Sequence, residues 1–308
     1  MSSETVVALH DVGAGLVSGF APEVPSAPAS PKADAWKRFR KNKAAMLGSA
    51  WAILLTLVAI LAPVIQRFDP KKIDPISSLQ TPNSKHWFGS DLLGRDVWSR
   101  IVNGSRLSLT VAIGTVIVTL VLSLVIGALS GYLGGWFDAI FMRFADIVLA
   151  LPYIVVILAF TSIFGRNLPT LIAAIVSISW MGTARLFRSG VLQIKNLDYI
   201  EAARASGQTT WGILTRHIVP NAIQPVIVSV AFSVGSAILL ESVFSFLGIG
   251  LDPSTPAWGV MVGESRDYIT SSSHLFFFPA GALVLTVLAF TFIGDGLRDA
   301  LDPKMRGL

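Results

Sequence analysis

Residues 201–220 read EAARASGQTTWGILTRHIVP. The stretch is polar and compatible with helix, yet strongly apolar runs flank it on both sides. It is the one long hydrophilic interruption in the second half of the chain. Asn196 or Asp198 is placed to cap a helix start, and Glu201 then sits near its positive end, where the macrodipole favours an anion. Leu197, Ile200, Ala203 and Arg204 recur at spacings of three and four, which puts them on one side. Gly207 is positioned to end the element as a C′ residue, and Thr209 or Thr210 to cap a second short helix. That helix runs into Pro220 just ahead of the next apolar run. The spacing therefore predicts a short helix–turn–helix lying along a membrane surface.

The rest of the composition supplies the membrane. Of 308 residues, 53% are hydrophobic and only 14% are charged, well below the roughly one quarter charged of a soluble domain. The chain contains no cysteine, which excludes disulfides and every thiolate metal or redox site. Its four histidines, His10, His86, His217 and His274, are scattered without metal-ligand spacing. The net charge of +5 fits loops facing anionic lipid. No soluble stretch is long enough for a basic domain that would bind nucleic acid.

About 20 apolar residues cross a hydrocarbon core of roughly 30 Å. Six runs approach or exceed that length, at about 46–65, 107–132, 144–164, 168–187, 221–244 and 275–297. The expected fold is an all-α polytopic membrane protein of six transmembrane helices. Residues 1–35, rich in Ala, Pro, Ser and Val, lack the positive start of a secretory signal and read as a disordered cytoplasmic tail. The segment 36–106 then supplies the first span and an extracytoplasmic loop. Residues 107–308 supply a five-helix core, interrupted by the loop at about 196–220.

Six crossings place both termini on one side, and the basic run WKRFRKNK at 36–43 assigns that side to the cytoplasm. Lys and Arg number fifteen inside and nine outside on this topology. The bias is modest because the outer 66–106 loop alone carries seven. Its acids (Asp69, Asp74, Asp91, Asp96) do not relieve the tension, because acids count little in the rule.

The 201–220 stretch resembles the EAA loop of ATP-binding-cassette importer permeases. Glu201, Ala202, Ala203, Gly207 and Pro220 fall on that pattern, while His217 and Val219 stand in slots usually held by Ile and Leu. Four further stretches are similar to the C-type subunit of oligopeptide and dipeptide permeases. They are FGSDLLGRDVWSRIVNGSRLSL at 88–109, LSGYLGGWFD at 129–138, ESVFSFLGIGL at 241–251 and FIGDGLRDALDPK at 292–304. The resemblance covers nearly everything from Trp36 onward and implies the type I importer permease fold in a bacterial inner membrane. It implies Glu201, Ala202, Ala203 and Gly207 as coupling residues whose short helix docks in a cleft of an ATPase subunit. The implied partners are a homologous B-type permease, two ABC ATPase subunits or a fused ATPase, an extracytoplasmic peptide-binding protein and membrane lipid. Close relatives of peptide permeases carry nickel or other small solutes, which stands as the alternative cargo.

The chain is expected to be non-catalytic. It has no GxxxxGK[ST], and none of its nine lysines follows a glycine, so ATP and Mg belong on the partner ATPase subunits. An ion-driven transporter needs paired ionisable groups near the midplane and repeated broken helices, and no such pair or repeat is visible. An intramembrane enzyme needs a nucleophile with a base or a metal cluster, against which the isolated histidines argue.

Several individual residues have two readings. Glu241, near the outer end of the fifth run, either lines or gates a translocation path or anchors the loop that follows. Gly127, Gly131 and Gly135 form a stripe for close helix approach or a flexible span end. Trp87 and Trp98 suit a headgroup-level position. Arg143 and Asp146 are spaced to pair at i, i+3. Asp295, Arg298, Asp299 and Asp302 read as a solvated inner-surface cluster.

Overall fold

Hydrocarbon offers no hydrogen-bond partner, so each apolar run must satisfy its backbone internally, and it does so as helix. The computed structural model describes residues 31–301. Helix α1 (Pro31–Lys41) and α2 (Lys43–Ile65) meet at Asn42, whose side chain caps α2 by accepting from the Ala45 amide at 3.1 Å. The expected N-terminal tail lies outside the described residues up to position 30, and 31–35 begin α1. A loop with one 3₁₀ turn at Pro75–Ser77 leads to α3 (Val97–Leu133). Asp96 caps α3 through the Ser99 amide at 2.8 Å.

Helices α4 (Gly135–Leu149) and α5 (Tyr153–Phe164) follow, bent by 93° at 150–152. Next come α6 (Leu168–Ile194), α7 (Asp198–Ala205) and α8 (Thr210–Ile213). A π turn at Leu214–Ile218, α9 (Val219–Ala222) and α10 (Gln224–Phe246) continue the chain. Helix α11 (Trp258–Ser265) and α12 (His274–Leu301) complete it. Among the described residues there is no strand, only an isolated bridge between Ser90 and Asp96.

Five helices, α2, α3, α6, α10 and α12, are individually long and apolar enough to span a bilayer; α4 and α5 make a sixth crossing only as a bent pair. The third run, expected over 144–164, is thus divided at 150–152 between α4 and α5. Pro152 has no N–H and pushes Leu151 out of the helical region. Each half alone reaches only about 18–22 Å at 1.5 Å per residue. The fourth run, expected over 168–187, continues in α6 to Ile194, past Arg185 and Arg188.

Helices α3 and α6 pack closely along much of their length, because α3 presents glycine where α6 crosses. A Cβ on Gly127 would lie 2.6 Å from the Ala184 carbonyl oxygen, and one on Gly131 would lie 2.8 Å from Val191 Cβ. Gly134 and Gly135 have positive φ with open space around them, so the third position of the stripe is a turn. Ion pairs tie α4 to the same helix, α6. Arg185 donates to Asp146 at 2.6 Å, and Arg188 makes a two-pronged pair with Asp138 at 2.5 and 2.6 Å. Asp146 therefore pairs across to α6 and not with Arg143, because Arg185 reaches it from the crossing helix. At the C-terminal cluster Asn42 donates to Asp299 at 3.4 Å; Asp302 lies outside the described residues.

Candidate functional site

The segment 195–222 hangs below α6 and is held from above. Lys195 Nζ donates to the Gly131 carbonyl at 3.0 Å, tying the exit of α6 to the end of α3. Helix α7 then starts at Leu197, which offers no side-chain cap. Neither Asn196 nor Asp198 serves, the latter being already inside the first turn. Ile200 and Ala203 are buried in one cluster with Phe187, Val191, Ile213, Leu214 and Ile218. This cluster fastens the small helix to the ends of α3, α6 and α10. Leu197 is half exposed and Arg204 is exposed, its guanidinium carbon 6.0 Å from the Tyr132 ring centre.

Gly207 closes α7 as expected. Its φ of +77° is the left-handed region, its amide bonds the Arg204 carbonyl at 3.0 Å, and the Gln208 amide bonds the Ala203 carbonyl at 3.2 Å. That pair of bonds is a full Schellman motif. Thr209 caps α8 through the Gly212 amide at 3.2 Å, and His217 bonds Gln208 at 3.0 Å across the turn. The π turn delivers the chain to Pro220 and then Pro225, where α10 begins afresh.

The four predicted loop residues thus sit together and divide by direction. Ala203 faces the bundle; Glu201, Ala202 and Gly207 face out. Beside them Tyr199 is 45% exposed and Trp211 is 70% exposed. The outward face therefore carries a carboxylate, a methyl-sized side chain and two aromatic rings.

Glu241 stands apart, on α10. It is fully buried and takes hydrogen bonds from Ser245 at 2.9 Å, Ser242 at 3.2 Å and Ser108 of α3 at 3.5 Å. Its partners are hydroxyls of its own helix and of α3; none is backbone of the following loop.

A second constellation, not foreseen from the sequence, lies at the opposite end of the bundle. Arg95 donates to Asp91 at 2.6 Å and to both oxygens of Glu264 at 2.8 and 3.0 Å. Arg100 bonds the same Asp91 oxygen and reaches Glu264 at 2.9 Å. Burial alone would push the Arg95 guanidinium down, but Asp91 and Glu264 outweigh it and hold it above its ordinary value. The quartet clips α11 to the entrance of α3 and lines a cavity of about 330 Å³ with Met261, Ser265 and Tyr268. His86, also buried, bonds Asp96 at 2.9 Å. Two of the seven cations that weakened the charge bias in the 66–106 loop are therefore neutralised in place. The i, i+4 spacing of Asp91 and Arg95 was a readable signal; Glu264, far along the chain, was not.

The family of binding-protein-dependent transport system inner membrane components matches residues 123–307. This chain belongs to that family. The N-terminal transmembrane domain of oligopeptide transport permease C matches residues 30–82. Among curated relatives, the glutathione transport system permease protein GsiD of Shigella flexneri serotype 5b is 42% identical over 273 residues, covering 88% of this chain and 90% of that protein. The same-named protein of Pectobacterium atrosepticum is 38% identical over 278 residues, covering 90% and 92%. A solved structure of the MetNI methionine ABC transporter, in an inward-facing conformation, aligns with a TM-score of 0.53 at 20% identity, over 66% of this chain and 96% of that one. That last likeness is one of fold. The chain is a multi-pass inner-membrane permease component of an ABC transport system and is itself non-catalytic.

Proposed function

We propose that this permease is the C-type membrane subunit of an ATP-driven importer for short peptides, and that α7 couples it to the motor. The partners are a homologous B-type permease, ABC ATPase subunits at the α7 face and an extracytoplasmic binding protein that delivers cargo. The substrate class rests on relatives named for glutathione, itself a small peptide, and on the oligopeptide permease C match at the N-terminus. Nickel or another small solute remains the second reading of the cargo, and no feature of the described residues favours it.

The observation that carries the coupling role is the division within α7. Ile200 and Ala203 anchor the helix, while Glu201 and Ala202 are presented outward beside Tyr199 and Trp211. Movement of a docked ATPase is then passed to the ends of α3, α6 and α10 through one packed cluster. The ATPase shifts the bundle only by contacting its two arrangements differently. This reading places the loop and both termini in the cytoplasm and the Asp91–Arg95–Arg100–Glu264 quartet outside.

The test is reconstitution of the complete transporter in proteoliposomes, with peptide-stimulated ATP hydrolysis and uptake measured for Glu201→Arg. Both should fall together while the binding protein keeps its affinity for peptide. Unchanged stimulation and uptake would remove the coupling role from α7.

A further inference from the structure

Arg106 is the tenth residue of α3 and the last cation before the apolar run at 107–132. Its side chain is exposed and, among the described residues, has no acidic partner. It stands at the mouth of a groove of about 600 Å³ between α2 and α3, lined by Thr56, Ala59, Ile60, Leu109, Ile113 and Gly114. The two helices run antiparallel there. Trp98 donates to the Ile65 carbonyl at 3.2 Å, and Asn103 to Gln66 at 2.7 Å. Residues 59 and 56 of α2 consequently lie level with about 110 and 113 of α3. From Arg106 to Gly114 the groove descends about 12 Å into the bundle at 1.5 Å per residue.

We propose that this groove holds one glycerophospholipid, with its phosphate on Arg106 and an acyl chain lying between α2 and α3. A guanidinium at the edge of the hydrocarbon, with no carboxylate beside it, calls for an anion, and the phosphodiester is the anion present at that depth. The groove wall calls for a hydrocarbon chain. Its two hydroxyls are turned inward: Thr56 donates to the Ala52 carbonyl at 2.7 Å, and Thr110 to the Arg106 carbonyl at 2.8 Å. Among the described residues, Arg106 is therefore the one free side-chain donor of the groove, too few for a peptide path. The polar rim of Gln66, Asn103 and Trp98 directly above the mouth matches the headgroup zone. This inference rests on α2 and α3 spanning the bilayer and is independent of the cargo and of α7.

The complete transporter, purified in nanodiscs of equal parts phosphatidylethanolamine and phosphatidylglycerol, is examined by native mass spectrometry. The wild type should retain a phospholipid adduct whose occupancy falls about fivefold in Arg106→Gln, the effect of one interfacial cation. Arg106→Lys should retain it, and Thr110→Trp, which fills the groove while leaving the cation, should lose it. A photo-crosslinker at position 113 should capture lipid. Equal lipid retention by the wild type, Arg106→Gln and Thr110→Trp would overturn the proposal. So would capture of the sister permease or of peptide at position 113.

Discussion

Asp91 accepts from two buried arginines and also from the Leu93 and Arg95 amides, each at 2.9 Å. Removing its charge leaves two cations with only Glu264, which is partly exposed. Asp91→Asn is expected to cost about 3–5 kcal/mol, the usual result of breaking a buried pair from one side. Thermal unfolding of the purified permease in detergent measures it, and a change below about 1 kcal/mol would mean that solvent already screens the quartet. Gly207 carries a different kind of constraint. Its left-handed backbone has open space around it, so a substitution acts through φ and not through a clash. Gly207→Val should cost about 1–2 kcal/mol locally and misdirect α7. Proteolysis at 205–209 should accelerate while the spans stay protected. Equal cleavage rates in both proteins would show that the turn does not depend on glycine.

At the scale of elements, the decisive contact is α3 on α6. Gly127→Leu would drive a side chain into the Ala184 carbonyl and Phe187, with nowhere to go but between the helices. Separation of the pair should lower stability by about 1–3 kcal/mol, as overpacking does, with loss of assembly on size-exclusion chromatography. Retention of the wild-type profile would contradict the close packing. The long helices α2, α3, α6, α10 and α12 were legible because continuous apolar sequence in a bilayer has one backbone solution. The end of α7 was legible too, since Gly207 and Thr209 act through bonds to near neighbours. The break at 150–152 coincides with Pro152, which a count of apolar residues does not register. The pairing of Asp138 and Asp146 was not legible at all. Their arginines lie on another helix, and only the crossing of α6 brings them within reach. For the same reason the role of Asp91 depended on Glu264, which sequence spacing cannot supply.

At the scale of the whole molecule, the bundle is fastened at both ends by different chemistry. A buried charge quartet clips α11 to α3 at one end, and an apolar cluster holds α7 under α3, α6 and α10 at the other. On the proposed coupling role, a push at α7 passes through that cluster into three spans at once. The absence of cysteine from the sequence makes this directly testable, because a single introduced thiol has no competitor in the chain. The measurement is the cross-linking of Ala202→Cys in the assembled transporter, with a short maleimide–benzophenone reagent that needs no thiol on the partner, added to inverted and to right-side-out membrane vesicles and then illuminated. The account predicts an adduct with the ATPase subunit, formed in inverted vesicles and blocked beforehand by a membrane-impermeant thiol reagent. Labelling confined to right-side-out vesicles, or no ATPase adduct from an exposed position 202, would contradict it.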